Sequence, residues 1–280
     1  MKKFPWDERE ETLDALFGGR LKVLQKKQGY RFSIDALLLA HFSRARPEER
    51  ILELGTGCGV ISLILLYRKK ARRITAVEVQ SSLADLARRN AALNRCASKL
   101  EVVEGDLRDL EKRCERESFD RVLANPPYRQ VGSGRMNPHS ERAVARHEVR
   151  ATLEDVLRCA RSLLKDKGRL EMIYPASRAA DLMRGLSRHR LEPKRIQFVH
   201  SRREEGARLM LVEALKEGRA QVEILPPFFL YDSRGSYTAA AGELFQGPGK
   251  VDISEGMSDN GGRGSSETRR RGGTGPCSFR

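Results

Sequence analysis

At 280 residues the chain is long enough for one large domain with extensions, or for two small ones. Its formal net charge of +15, from 53 Lys and Arg against 38 Asp and Glu, makes a polyanion the leading partner, nucleic acid first. The composition excludes a membrane span, because no apolar run approaches the roughly 20 residues one needs, and excludes a zinc module, because the five cysteines form no CxxC and no Cys/His cluster of zinc spacing. Met1 to Glu10 has no apolar stretch of the signal-peptide kind. The expectation is a cytoplasmic protein with reduced thiols, no membrane and no metal partner, taken as a monomer.

Residues 1–45 read as an arm, a short hairpin and a helix. Met1 to Asp14 is polar and reads as a loose arm. Leu21 to Gln25 alternates apolar and polar, and Tyr30 to Phe32 reads as its return strand. Ser33 is a good N-cap for an apolar helix through Phe42. Asp35 either complements the dipole of that first turn or faces a ligand pocket.

Residues 46–238 read as the main domain. Ile51 to Leu54 is a buried strand ending on Glu53-Leu54. Gly55-Thr56-Gly57-Cys58-Gly59 follows at once, then the apolar helix from Val60. Strand, glycine loop and helix in this order let backbone approach a nucleotide. The spacing is GxGxG without the glycine that completes GxGxxG, and no GK[ST] follows, which argues against a dinucleotide site and a P-loop. Ile74 to Val79 is the second strand. It delivers Glu78, placed to accept the two hydroxyls of a ribose. A helix capped by Ser81 runs to Leu93. Leu100 to Val103 is the third strand, and Gly105-Asp106-Leu107 follows it. There the Asp106 carboxylate can accept from an adenine amino group and the Leu107 N–H can donate to a ring nitrogen.

Phe119 to Ala124 is the fourth strand. It is stopped by Asn125-Pro126-Pro127-Tyr128, because neither proline can donate to a ladder. The turn fixes one amide, one proline carbonyl and one aromatic ring in one place. The amide oxygen and the Pro126 carbonyl can accept both hydrogens of a planar NH2 group, with the Tyr128 ring over its plane. The basic stretch that follows, with Arg129, Arg135, Arg142 and Arg146, suits a lid or a clamp on a polyanion. Thr152 caps an amphipathic helix through Leu164. Arg169 to Tyr174 is the fifth strand, and Pro175 opens a further helix. Arg195 to His200 and Arg208 to Ala214 form a closing antiparallel pair around the charged turn Arg202 to Gly206. Ile224 to Tyr231 is extended and packs back on the body. Residues 239–280 are rich in Gly, Ser and Arg and read as a disordered tail.

Four strand ends thus bring a glycine loop, Glu78, Asp106 and the Asn125 turn to one edge of a parallel sheet, where α/β proteins bind ligands. Four segments, ILELGTGCGVISL, ITAVEVQ, GDLRDL and ANPPY, resemble the class I S-adenosylmethionine-dependent methyltransferases that act on amino groups. GYRFSIDALLLAHF, GSGRMNP, ARHE and LEPKRIQFVHSR look like the bacterial family that methylates N6 of an adenine in the anticodon loop of valine tRNA. The resemblance spans Leu13 to Thr238. It implies a Rossmann-like α/β fold, with a mostly parallel seven-stranded sheet, helices on both faces and an antiparallel last pair of strands. It implies S-adenosyl-L-methionine as cofactor and tRNA as partner. On the matching positions, Gly55, Gly57 and Gly59 with Glu53 would hold the methionine part, Glu78 the ribose, and Asp106 with Leu107 the adenine. Asn125 and Pro126 would bind the target amino group, and Tyr128 would stack on the everted base.

Methylation of a glutamine amide in a protein would use the same Asn-Pro-Pro-Tyr logic. Those enzymes generally carry a helical domain before the sheet, and here only 50 residues precede the first strand of the sheet. A DNA adenine methyltransferase would bring a separate recognition domain. A non-catalytic RNA-binding protein would not need both an intact cofactor edge and an intact acceptor turn.

Overall fold

A computed structural model of the chain describes residues 6–126 and 151–247. Its centre is a nine-stranded sheet, in which β3 (Ile51–Leu54), β4 (Ile74–Glu78), β5 (Leu100–Glu104), β6 (Phe119–Ala124) and β7 (Leu164–Pro175) run parallel. β9 (Ala207–Lys216) is antiparallel to both β7 and β8 (Leu191–His200), so β8 points the same way as β7. The spatial order β8-β9-β7-β6-β3-β4-β5 reverses chain progression between β3 and β6. That reversal is the switch point where open α/β sheets bind ligands beyond the carboxyl ends of their strands.

The seven strands expected are joined by two short ones at the β8 edge, β10 (Glu223–Ile224) and β11 (Phe228–Phe229), both parallel to β8. Pro226 and Pro227 lie between them. Proline cannot donate to a ladder, so the edge strand is broken into two pieces.

Two cores flank the sheet. On one face lie α1 (Ile34–Phe42), α2 (Val60–Tyr67) and α3 (Ser81–Leu93), packed with Leu37, Leu63, Ile64, Leu83 and Leu86. On the other lie α4 (Leu110–Arg113), α5 (Leu153–Leu163) and α6 (Ala179–Arg188), with Leu157, Leu163, Leu182 and Leu186. α1 is buried over most of its length, packed against α2 and β7, and an N-terminal hairpin packs on α2 and α3. α5 opens with a reciprocal capping box between Thr152 and Asp155.

That hairpin is not where the sequence placed it. β1 is Glu11–Leu16 and pairs with β2 (Leu21–Lys26), so the expected loose arm includes a strand. Its Glu, Thr and Asp hid it, yet Glu11 is buried and held by Arg89 at 2.6 and 2.8 Å. Tyr30 to Phe32 is not a strand. Its backbone crosses the hairpin, with Phe32 N–H donating to Gln25 at 2.8 Å. Gln80, not Ser81, is the N-cap of α3.

Residues 239–247, read from the sequence as the start of a disordered tail, are structured. Thr238 caps α7 (Ala239–Glu243), Leu244 is buried, and the Arg68 guanidinium donates to the carbonyls of Leu244 and Gln246 at 3.3 and 3.4 Å. Cys58, Cys96 and Cys159 are free and buried. No helix among the described residues is long and apolar enough to cross a membrane.

Candidate active site

β3 ends at Leu54 and the chain turns immediately. The N–H groups of Gly55 and Thr56 both donate to the Val77 carbonyl, at 2.9 and 3.0 Å, which zips the loop onto β4. Gly57 has φ +58, and a Cβ there would lie 2.7 Å from Cε1 of Tyr30. Only glycine fits both the left-handed backbone and that overhead ring. Gly59, at φ +85, is the N-cap of α2 and supplies the second such turn.

Glu78 sits at the carboxyl end of β4 and is buried. One of its oxygens accepts from Gly57 N–H at 2.8 Å and the other from Gln80 N–H at 3.0 Å. It therefore ties the glycine loop to the start of α3. Gly105 N–H in turn donates to the Glu78 carbonyl at 2.9 Å, bringing the β5 turn alongside. In that turn Asp106 caps a short 3-10 helix beginning at Leu107 and forms an ion pair with Arg108. The hydrogen bond from Arg108 holds its carboxyl below the usual value.

Glu53 lies beneath the loop and is buried. Oε2 accepts from the Ser62 N–H at 3.1 Å and from the Ser62 hydroxyl. Oε1 and the buried hydroxyl of Thr56 make no hydrogen bond of good geometry, although Thr56 stands close enough to Glu53 to favour its charged form. Burial pushes the Glu53 carboxyl up to about 7, against the pull of Ser62 and Thr56 and with the help of the Glu78 charge. Glu53 has no cationic partner among the described residues. A buried carboxylate that keeps one oxygen unsatisfied is suited to a ligand that brings its own positive charge.

Tyr30 is the residue that sequence reasoning missed. Tyr30 is 44% exposed, and desolvation of its hydroxyl, with the charges of Cys58, Glu53, Glu78 and Asp35, pushes that hydroxyl up. Asp35 itself stands in the first turn of α1, where its N–H donates to the Ser33 hydroxyl at 3.3 Å. Both expected roles of Asp35 are thus compatible with one position. An aromatic residue three positions before an N-cap was the only local signal for Tyr30. Its contact with Gly57 spans a loop and a helix.

On the other side of the switch point β6 ends at Ala124, which pairs with Leu54 of β3. Asn125 and Pro126 therefore follow directly beside Gly55, one strand spacing of about 4.8 Å away. Asn125 is half-buried and Pro126 buried. Glu78 and Asp106 lie on the same rim, two and three strands along. Pro127, Tyr128, Arg129, Arg135, Arg142 and Arg146 lie outside the described residues. A cavity of about 560 Å³ lined by Arg116, Arg158, Arg161 and Lys216 lies at the opposite ends of the strands and takes no part. Among the described residues no group of His, Cys, Asp and Glu could hold a metal ion.

A glycine loop, an acidic strand end and an acceptor turn meeting at the switch point define a class I S-adenosylmethionine-dependent methyltransferase. The sequence matches the methyltransferase small domain over residues 33–188. It is 31% identical to the tRNA1(Val) (adenine(37)-N6)-methyltransferase of Porphyromonas gingivalis, over 65% of this chain and 73% of that one. It is 28% identical to the enzyme of the same name from Shewanella sp., over 78% and 91%. A predicted O-methyltransferase from Agrobacterium tumefaciens superimposes with a TM-score of 0.61 at 26% identity, covering 75% of this chain and 94% of that one. The chain belongs to the methyltransferase small domain family, in the branch of the tRNA1(Val) (adenine(37)-N6)-methyltransferases.

Proposed function

We propose that this enzyme methylates N6 of an adenine in tRNA, in the cytoplasm, with the base at position 37 of a valine tRNA as its target. The observation that carries the reading is the pairing of Leu54 with Ala124. It sets the loop for the methyl donor beside the turn for the methyl acceptor.

S-Adenosylmethionine, when bound, supplies a methyl group already activated on a sulfonium. The chain's own residues do the rest. The backbone of Gly55, Gly57 and Gly59 admits the methionine end, and the unsatisfied oxygen of Glu53 meets its positive charge. Glu78 takes the ribose, and Asp106 with Leu107 the adenine. The Asn125 amide oxygen and the Pro126 carbonyl accept the two hydrogens of the target amino group. An exocyclic amine of adenine is a weak nucleophile because its lone pair is spread into the ring. Two acceptors aimed at its hydrogens favour the pyramidal geometry in which that pair is free. No strong base is required, so catalysis is mainly placement and electrostatics in a water-excluded site. Pro127 stiffens the turn and Tyr128 stacks on the everted base. In a single-stranded loop, eversion costs little. Arg129, Arg135, Arg142 and Arg146 clamp the phosphate backbone.

The test is incubation with methyl-labelled S-adenosylmethionine and total tRNA, followed by nucleoside mass spectrometry. N6-methyladenosine at position 37 of valine tRNA is the expected product. Label in protein with none in RNA would overturn the reading.

A further inference from the structure

We propose that the β8–β9 hairpin and the turn after β11 form a landing platform for the RNA nucleotides that flank the target base. The assignment rests on the RNA substrate proposed above.

The sheet itself puts the platform beside the acceptor turn. Since β9 is antiparallel to β7 and β8, the end of β8 and the start of β9 lie on the rim where β6 delivers Asn125. Ala124 is level with Met172, Val212 and Ile196 across the intervening strands. His200 is four residues beyond that level. The hairpin is therefore offset by three strand spacings, about 14 Å, and rises about 13 Å above the Ala124 level. It forms a wall on one flank of the acceptor turn, within the span of a few nucleotides.

The top of that wall carries free positive charge. Arg202, Arg203 and Arg234 are exposed and have no ion-pair partner among the described residues. Of the nearby acids Glu204 is exposed with no ion-pair partner among the described residues, and two others are engaged. Glu205 pairs with Arg208 at 3.4 Å. The Asp232 carboxylate accepts from the N–H groups of Arg234 and Ser236, at 2.8 and 3.0 Å, which shapes the second turn. The two turns are joined: Tyr231 N–H donates to the Ser201 carbonyl at 2.9 Å, and the Arg202 guanidinium reaches Gly235.

Aromatic planes stand among these charges. Tyr237 is 48% exposed and stacks on Tyr231, with centroids 5.1 Å apart and planes 20° apart. Arg203 lies over the Phe229 ring at 5.3 Å. Unpaired guanidinium groups interleaved with a half-exposed ring match phosphate and base, the two faces of single-stranded RNA. A protein partner would call for a continuous apolar patch, and the exposed ring stands among charges instead.

The experiment measures binding of an anticodon stem-loop of valine tRNA by fluorescence anisotropy over a range of salt. Wild type is compared with Arg202→Ala/Arg203→Ala/Arg234→Ala and with Tyr237→Ala. The triple variant should bind on the order of tenfold more weakly, and its log K against log salt should be shallower by about two to three. Tyr237→Ala should bind about fivefold more weakly with the salt slope unchanged. In both, melting temperature, cofactor affinity and kcat at saturating RNA should match wild type. Unchanged affinity and slope in the triple variant would overturn the platform, as would a loss seen with whole tRNA but not with the stem-loop. A wild-type protein that neither binds nor methylates RNA would instead overturn the substrate reading beneath it.

Discussion

One register row crosses the sheet from Glu53 through Leu123, Glu171 and Glu213 to Arg195, and its two halves treat buried charge in opposite ways. On the β3 side Glu53 is buried with one oxygen unsatisfied and no cation beside it. On the β7–β9 side Glu171 and Glu213 are equally buried and each also keeps one oxygen without a hydrogen bond, but they meet arginines. Arg121 reaches Glu171 at 2.5 Å, Glu49 at 2.7 Å and Glu213 at 3.6 Å, and Arg169 reaches Glu213 at 2.6 Å. Burial opposes the charge on Arg121, but Glu171, Glu49 and Glu213 outweigh it and hold the guanidinium protonated. Arg195 donates to the Phe42 carbonyl at 2.8 Å and lies over the Phe42 ring, while Arg44 N–H donates to Glu171 at 3.0 Å. This half thus pins the end of α1 to the sheet. A buried charge with its counter-ion inside the chain belongs to the fold. One whose counter-ion must come from outside marks the site.

Substitutions should separate the two halves. The largest effect on turnover is expected at the acceptor turn. Asn125→Ala should lower kcat on the order of a thousandfold, with cofactor affinity and melting temperature close to wild type by calorimetry. Loss of cofactor binding in a folded Asn125→Ala protein would count against its role.

Arg121→Met should act on stability instead. It leaves Glu171 and Glu213 with less of their counter-charge, and denaturant unfolding should show a loss of about 3–5 kcal/mol. An unfolding midpoint equal to wild type would erase the distinction between the halves.

Glu53→Gln should do the reverse. The Glu53 carboxyl titrates at about 7, against an ordinary 4.5. A raised carboxyl means that the folded protein holds more protons than the unfolded chain between those values. Its contribution is therefore most favourable at the acid end and is lost as pH rises through 7. Without cofactor, Glu53→Gln should be more stable than wild type at pH 8, by up to about 3 kcal/mol, with the difference vanishing below pH 4.5 in urea titrations. Its affinity for S-adenosylmethionine should fall at least about tenfold, the scale of one lost charge-assisted contact. The smallest effect is expected for Tyr30→Ala, where loss of the ring over Gly57 should weaken cofactor binding by about fivefold, roughly 1 kcal/mol, without moving the melting temperature.

The elements of the site were legible because each is local. An apolar run, three glycines and a helix announce themselves within 17 residues of Ile51, and Asn125-Pro126 ends a strand by its own chemistry. The compensated half of the row was not legible. Arg121, Glu171, Arg195 and Glu213 each look like the polar residue of an ordinary strand, and only the register makes them partners. The same holds for Tyr30, whose place over Gly57 depends on how the hairpin folds back. β1 was masked by Glu11, which reads as exposed until Arg89 of α3 is brought to it. Arg108, two residues from Asp106, was within reach of local reasoning.

The segment after Thr238 has a practical consequence. Leu244 is fully buried, and a Cβ on Gly247 would lie 2.7 Å from the Tyr67 hydroxyl. Phe17 of the hairpin turn in turn stacks on Tyr67 at 4.9 Å. Recombinant truncations made for crystallisation should keep every residue through Gly247. A cut at 238 would strip the cover from α2 and loosen the hairpin, and limited trypsin digestion would reveal the damage as faster cleavage after Arg20.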